Sequence, residues 1–152
     1  MGGPVPAAQG GRMAFTEFDR SLLDRPVHGL LTTLPGGNRL PAPRPVWFER
    51  TADDEVQLFS MAGALKLRRL TAEPRATFVV MTLPDDEVEG WVSMEAEATV
   101  LDHGASDLAL RLSERYWDTS RPEYREMLDL YAVEENVRRI VLHPTRITRG
   151  PA

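Results

Sequence analysis

Apolar positions along much of this chain recur with the period of two that a half-buried strand requires. The clearest case is WVSMEAEATV, Trp91 to Val100: Val92, Met94, Ala96, Ala98 and Val100 make one face, Ser93, Glu95, Glu97 and Thr99 the other. That alternation predicts an antiparallel strand with one wet side. ATFVVMT, residues 76–82, is almost continuously apolar and predicts a central strand. HGLLTTL, residues 28–34, is closed by Pro35-Gly36-Gly37 and predicts a strand and a turn. PRPVWFER, residues 43–50, predicts a second strand, with Val46 and Phe48 on one face and Trp47 on the other. Its prolines place its start at an edge or barrel rim. VQLFS, residues 56–60, follows an Asp53-Asp54 turn, and VRRIVL (137–142) and Arg146–Thr148 return to strand on either side of His143-Pro144.

The period changes to that of a helix in four places. Phe18 and Leu22 share a face within Thr16–Leu23, which Asp24-Arg25-Pro26 terminates. Ala62 to Leu70 predicts a short helix with Leu67 and Leu70 packing down, ended by Pro74. Leu108, Leu112 and Tyr116 repeat at four, and Tyr124, Met127, Leu128 and Tyr131 form a second stripe. Ser120 and Glu123, with Pro122 between them, have the spacing of a capping box. Roughly six strands with a helical pair inserted before the last, and no βαβ alternation, predict a mainly β, antiparallel six-stranded barrel with accessory helices. LPDDEVEG, residues 83–90, is an acidic loop.

Composition narrows the chemistry. A chain of 152 residues is one domain as a prior. With no cysteine, disulfides, thiolate metal sites and cysteine nucleophiles are excluded, which fits a reducing, cytoplasmic setting. A net charge of −5 and the lack of aromatics interleaved with basic residues argue against nucleic acid. No apolar run is long enough to span a membrane. The opening MGGPVPAAQGGR has little to bury, so residues 1–13 are expected to form a disordered tail ahead of a domain over 14–150, with Met13 a candidate natural start. His28, His103 and His143 are scattered without carboxylates at metal-ligand spacing, and there is no P-loop, GxGxxG or nucleophile elbow.

One segment carries a charge contrast. Of 18 basic residues 17 are arginine, and the one lysine is Lys66. From Lys66 to Arg75 the chain is locally +3, leaving −8 on the rest. Such a segment is either a basic surface turn or an anion site. A strand end running into a helix start supplies free N–H groups and a positive dipole end, and Ser60 adds a hydroxyl, which is chemistry suited to a phosphate if the segment is an anion site. The Trp47–Phe48 strand lies just before it in the sequence, near enough to support a planar ring.

Taken in order, GLLTTL, Pro45-Val46-Trp47-Phe48, LFS…GALKLRRL…EPRATFVV and WVSMEAEATV resemble the split-β-barrel flavoprotein superfamily. That group contains pyridoxamine 5′-phosphate oxidase and the flavin- or deazaflavin (F420)-dependent oxidoreductases. The resemblance runs from about Leu22 to Thr148 and takes in Arg115-Tyr116 and the closing HPTRI. It implies a six-stranded antiparallel split barrel of the FMN-binding type, a homodimer with cofactor grooves at the interface, and FMN or F420 as cofactor. It further implies hydride exchange with a small organic substrate or, alternatively, a non-catalytic protein of the same fold holding flavin, F420 or haem. By position, Val46, Trp47 and Phe48 correspond to the ring-supporting strand, Ser60 and Met61 to the strand end lining the cofactor, and Lys66 to the phosphate-binding lysine. Members commonly read KxRNL where this chain has Lys66-Leu67-Arg68-Arg69-Leu70, and many carry an arginine where it has Ala64. Arg69 is therefore the expected replacement anion contact. No side chain stands out as a general acid or base.

Overall fold

The computed structural model describes residues 14–87 and 89–151. The expected tail over 1–13 lies outside the described residues. The first helix, α1 (Glu17–Leu23), starts on a capping box. The Thr16 hydroxyl accepts from the Asp19 N–H at 3.2 Å, and the Asp19 carboxylate accepts from the Thr16 N–H at 2.8 Å. Asp19 is fully buried and also takes a bidentate pair from Arg149 near the chain's end, at 2.8 and 2.9 Å, which pins α1 to the last strand.

Strands β1 (Gly29–Thr33), β2 (Arg44–Val46), β3 (Glu49–Arg50), β4 (Val56–Met61), β5 (Arg75–Met81), β6 (Trp91–Leu101) and β7 (Val137–Gly150) form one sheet in the order β2-β1-β5-β6-β7-β4-β3, with every pair antiparallel. Edge strands β2 and β3 are therefore neighbours in sequence, separated only by Trp47 and Phe48. Three residue steps reach at most about 10 Å. The sheet must accordingly curl until its two edges almost meet, and Trp47-Phe48 is the seam. The segment 43–50, expected as one strand, is one interrupted strand whose halves pair with opposite edges; counted that way, six strands go round the barrel.

The alternation expected for β6 is present: Val92, Met94 and Ala96 are buried while Glu95 and Glu97 are exposed. Inside the barrel Phe48 meets Phe78 edge-on at 5.0 Å, among Leu58, Val80, Ile140 and Leu142. β7 runs through His143-Pro144, where a strand break was expected. A register shift opposite Glu95/Ala96 accommodates the proline, which has no N–H to give a ladder.

Helix α2 (Leu65–Ala72) begins three residues later than expected because Ala62–Ala64 form a turn, with the Ala64 N–H donating to the Met61 carbonyl. Leu67 and Leu70 anchor it on the barrel. α3 (Ala105–Tyr116) and α4 (Arg125–Tyr131) cover the outer face of β4 and β7, where Ala105, Ala109, Tyr131 and Val137 make a second, smaller core. The Ser120/Glu123 capping box does not form: Ser120 donates to Asp118 and Glu123 accepts from Arg121, charged partners two residues away. Among the described residues, no helix is long and apolar enough to cross a membrane.

Candidate cofactor groove

The seam opens on its outer side into a groove of about 260 Å³ lined by His28, Pro45, Val46, Trp47, Phe59, Lys66, Trp117 and Tyr131. The barrel's curl is what gathers these residues. Val46 ends β2, Trp47 sits in the seam, Phe59 projects from the outer face of β4, and Trp117 and Tyr131 come from the ends of α3 and α4. Trp47 lies edge-on to Trp117 at 4.6 Å and parallel to Tyr116 at 5.2 Å, and Phe59 meets Tyr131 at 4.8 Å. The result is a wall of aromatic faces and edges, suited to a flat, conjugated ligand.

The seam is held by the last turn of α3. The Tyr116 hydroxyl donates to the Val27 carbonyl at 2.7 Å and accepts from the Phe48 N–H at 3.3 Å. Arg115 donates to the carbonyls of Leu23, Asp24 and Arg25, satisfying the C-terminal end of α1, and its guanidinium lies 5.8 Å from the Phe48 ring centroid.

Lys66, in the first turn of α2, is the cation of the groove. Among the described residues it has no hydrogen-bond or ion-pair partner, and burial pushes its ammonium below the usual lysine range. Helix α2 has no side chain capping its first N–H groups. A half-buried, unpaired ammonium beside an uncapped helix start is a donor set lacking an anion. The Tyr131 phenol, whose pKa burial raises, likewise has no hydrogen bond among the described residues.

Of the expected site residues, the groove brings together Val46, Trp47 and Lys66. Phe48 points into the core, and its N–H is engaged by Tyr116. Ser60 is buried on the inner face of β4, alternate to Phe59, and its hydroxyl donates to the Met61 carbonyl at 3.4 Å. Met61 lies on the outer face and packs into the α3–α4 core. Arg69 lines a different cleft, on the solvent side of α2. Sequence reasoning left out His28 and Phe59 as groove residues, and reached Trp117 and Tyr131 only as part of the Tyr116–Tyr131 region. The alternation of β4 places Phe59 opposite Ser60, a signal that was available.

Residues 15–148 match the family model described as pyridoxamine 5′-phosphate oxidase, and the chain belongs to that family. No curated protein matches at a significant level. Among solved structures, an F420 reductase is 23% identical with a TM-score of 0.69, over 88% of this chain and 98% of its own. A conserved hypothetical protein of Mycobacterium tuberculosis is 19% identical with a TM-score of 0.70, over 91% and 86%. HutZ, a haem storage protein from Vibrio cholerae, is 12% identical with a TM-score of 0.63, over 91% and 95%. At these identities the likeness is one of fold: the split barrel of the FMN type, used by proteins with different ligands.

Proposed function

We propose that this protein is an oxidoreductase that exchanges hydride between a flavin-type cofactor, FMN or F420, and a small organic substrate. The observation that carries this reading is Lys66: an unpaired, partly desolvated ammonium at one end of an aromatic-walled groove. In the proposed complex Lys66 and the first N–H groups of α2 hold the cofactor's phosphate. Val46 and Trp47 support its ring, and Trp117 and Tyr131 limit the space left for substrate. The bound ring supplies the redox chemistry. The chain's work is to fix the ring, neutralise its phosphate and exclude water from the apolar wall. The groove is open on a single chain, which suits completion by a second copy in a homodimer.

A second reading has its own observation. His28 lines the same groove and offers an imidazole to a metal porphyrin, so the protein could instead hold haem without turnover. Titration of the purified protein with FMN, F420 and haem, followed by absorbance, separates the readings. The oxidoreductase reading expects FMN or F420 to bind below about 100 μM, and its reduced form to be reoxidised by organic acceptors faster than in free solution. Tight haem binding with no flavin binding would overturn it.

A further inference from the structure

All three tyrosines and two of the three tryptophans of the chain meet in one continuous set of ring contacts at the groove. Trp47, in the seam, lies edge-on to Trp117 at 4.6 Å. Trp117 directly follows α3 and is stacked on Tyr124 at 4.0 Å, with 4° between the ring planes. Tyr124 closes the turn Pro122–Tyr124 between α3 and α4 and is half-buried, with the Arg121 guanidinium 5.5 Å from its ring centroid. Tyr116 branches from Trp47 at 5.2 Å and Tyr131 from Trp117 at 6.4 Å. The line Trp47–Trp117–Tyr124 thus leads from the groove lining, which includes both tryptophans, to a ring outside that lining.

Packing alone does not explain which rings stand where. Phe15, Phe18, Phe48 and Phe78 serve the barrel core, whereas the readily oxidised rings gather at the groove. In a chain without cysteine, tryptophan and tyrosine are the side chains that give up a single electron most easily. A tyrosine keeps the resulting radical only if its hydroxyl proton can leave. The Tyr116 hydroxyl donates to the Val27 carbonyl at 2.7 Å, which is no base. Tyr131 is only 8% exposed, and burial holds its phenol in the protonated form. Tyr124 is partly open to solvent, and its hydroxyl makes no hydrogen bond among the described residues, so its proton can pass to water. The Arg121 charge opposes a cation on that ring but not a neutral radical.

We propose that Trp47, Trp117 and Tyr124 form a one-electron outlet that carries an oxidising equivalent from the groove to the surface. A one-electron oxidant in the groove takes an electron from Trp47 or Trp117. The tryptophan cation so formed takes an electron from Tyr124, whose hydroxyl proton goes to water. The neutral Tyr124 radical is then reduced by an external thiol or ascorbate, which gives up one electron and one proton. In sum the oxidant gains one electron, the proton from the reductant replaces the one Tyr124 released, and the rings end unchanged. Only the source of the oxidant rests on the redox reading of the groove; the ring path does not.

The test is pulse radiolysis of the intact, ligand-free protein with azide radical as the one-electron oxidant, followed by transient absorbance. All proteins carry W91F, so that only Trp47 and Trp117 start the signal. Tryptophan-radical absorbance is expected to decay into tyrosyl-radical absorbance at a rate independent of protein concentration. Y124F should lose most of the tyrosyl signal and leave the tryptophan radical long-lived, while Y116F and Y131F keep the conversion. The path is overturned if no conversion occurs, if its rate rises with protein concentration, if Y124F converts as the parent does, or if Y116F or Y131F abolishes it instead. A second arm starts the electron from within the groove, by a laser flash on bound FMN or F420. The same tyrosyl signal, lost in Y124F, is expected, and a bound cofactor that gives none overturns the outlet role. Should neither cofactor bind, the oxidoreductase reading falls, and the azide experiment still decides whether the path exists.

Discussion

Replacing Lys66 with methionine should have two effects of opposite sign. In the ligand-free protein the ammonium is half-buried and unpaired, so the variant loses no internal contact and sheds a desolvation cost. A gain in the range of other single stabilising substitutions follows, about 0.5–2 kcal/mol, which for a chain of this length raises Tm by about 2–4 °C per kcal/mol. The gain depends on pH with a definite sign. Burial lowers the folded-state pKa of Lys66, so above that pKa the unfolded chain binds the extra proton and stability rises with pH. The advantage of K66M over wild type is therefore fully present below the folded pKa and shrinks as pH climbs towards the ordinary lysine value of 10.5. Binding goes the other way. An ammonium about 4 Å from a phosphate charge is worth about 4 kcal/mol at an effective dielectric near 20, of which desolvation leaves about 1.5–3 kcal/mol. The variant should bind FMN or F420 about 10- to 150-fold more weakly. Thermal melts across pH and absorbance titrations read both effects, and Lys66→Arg, which keeps the charge, should recover part of the binding. A variant that melts lower than wild type and binds the cofactor equally well would show that Lys66 is a structural strut, and would remove the main support for the groove.

Tyr116→Phe deletes the hydroxyl that ties Val27 to the seam and should cost about 0.5–1.5 kcal/mol in urea unfolding; it should also change Trp47 fluorescence, since the rings are parallel at 5.2 Å. Asp19→Ala leaves Arg149 without its carboxylate and the Thr16 N–H without an acceptor, at a cost of about 3–5 kcal/mol, seen as a lower urea midpoint at constant m; a loss below about 1 kcal/mol would show that the pair does not hold α1 to β7. Gly29→Ala would place a Cβ inside the Phe78 ring, which is itself packed on Phe48, and should destabilise by about 1–3 kcal/mol with loss of cofactor affinity, measured by melts and titration.

The sequence disclosed the strands better than it disclosed which way their residues face. Trp91–Val100 was legible because one wet side imposes strict alternation. VRRIVL hid its two faces because both are covered, Val137 by α3 and α4, Ile140 and Leu142 by the barrel. The segment 43–50 read as one strand because nothing in its local pattern says that Val46 pairs with Gly29 while Glu49 pairs with Gln57 at the opposite edge. Lys66 was found from charge, Trp47 from the nearness of its strand to the basic segment, and Val46 only from the family resemblance. Ser60 was selected for its hydroxyl, although the pleat sends that hydroxyl inward. Arg69 was selected because it replaces the asparagine of the family's KxRNL pattern, but it borders the cleft between α2 and the loop after β1, not the groove. Trp117 and Tyr131 reach the groove only through the packing of α3 and α4 on the outer sheet, a tertiary event that period and composition do not report.

The seam also sets an order of assembly. β1–β2 and β3–β4 are hairpins with near neighbours in sequence, and β5 and β6 can add to β1 as they emerge. β4, however, finds its second partner only in β7, which begins at Val137. Until that strand is made, the β3–β4 hairpin has no strand ladder to the rest of the sheet and is joined to it only by its chain connections, Trp47-Phe48 on one side and α2 on the other, and by helix contacts. Every residue lining the groove precedes Val137 in the chain. A chain truncated before Val137 would thus carry every residue that lines the groove and yet lack the strand that joins β4 to the rest of the sheet, so β7, contributing nothing to the lining, is what holds its walls together.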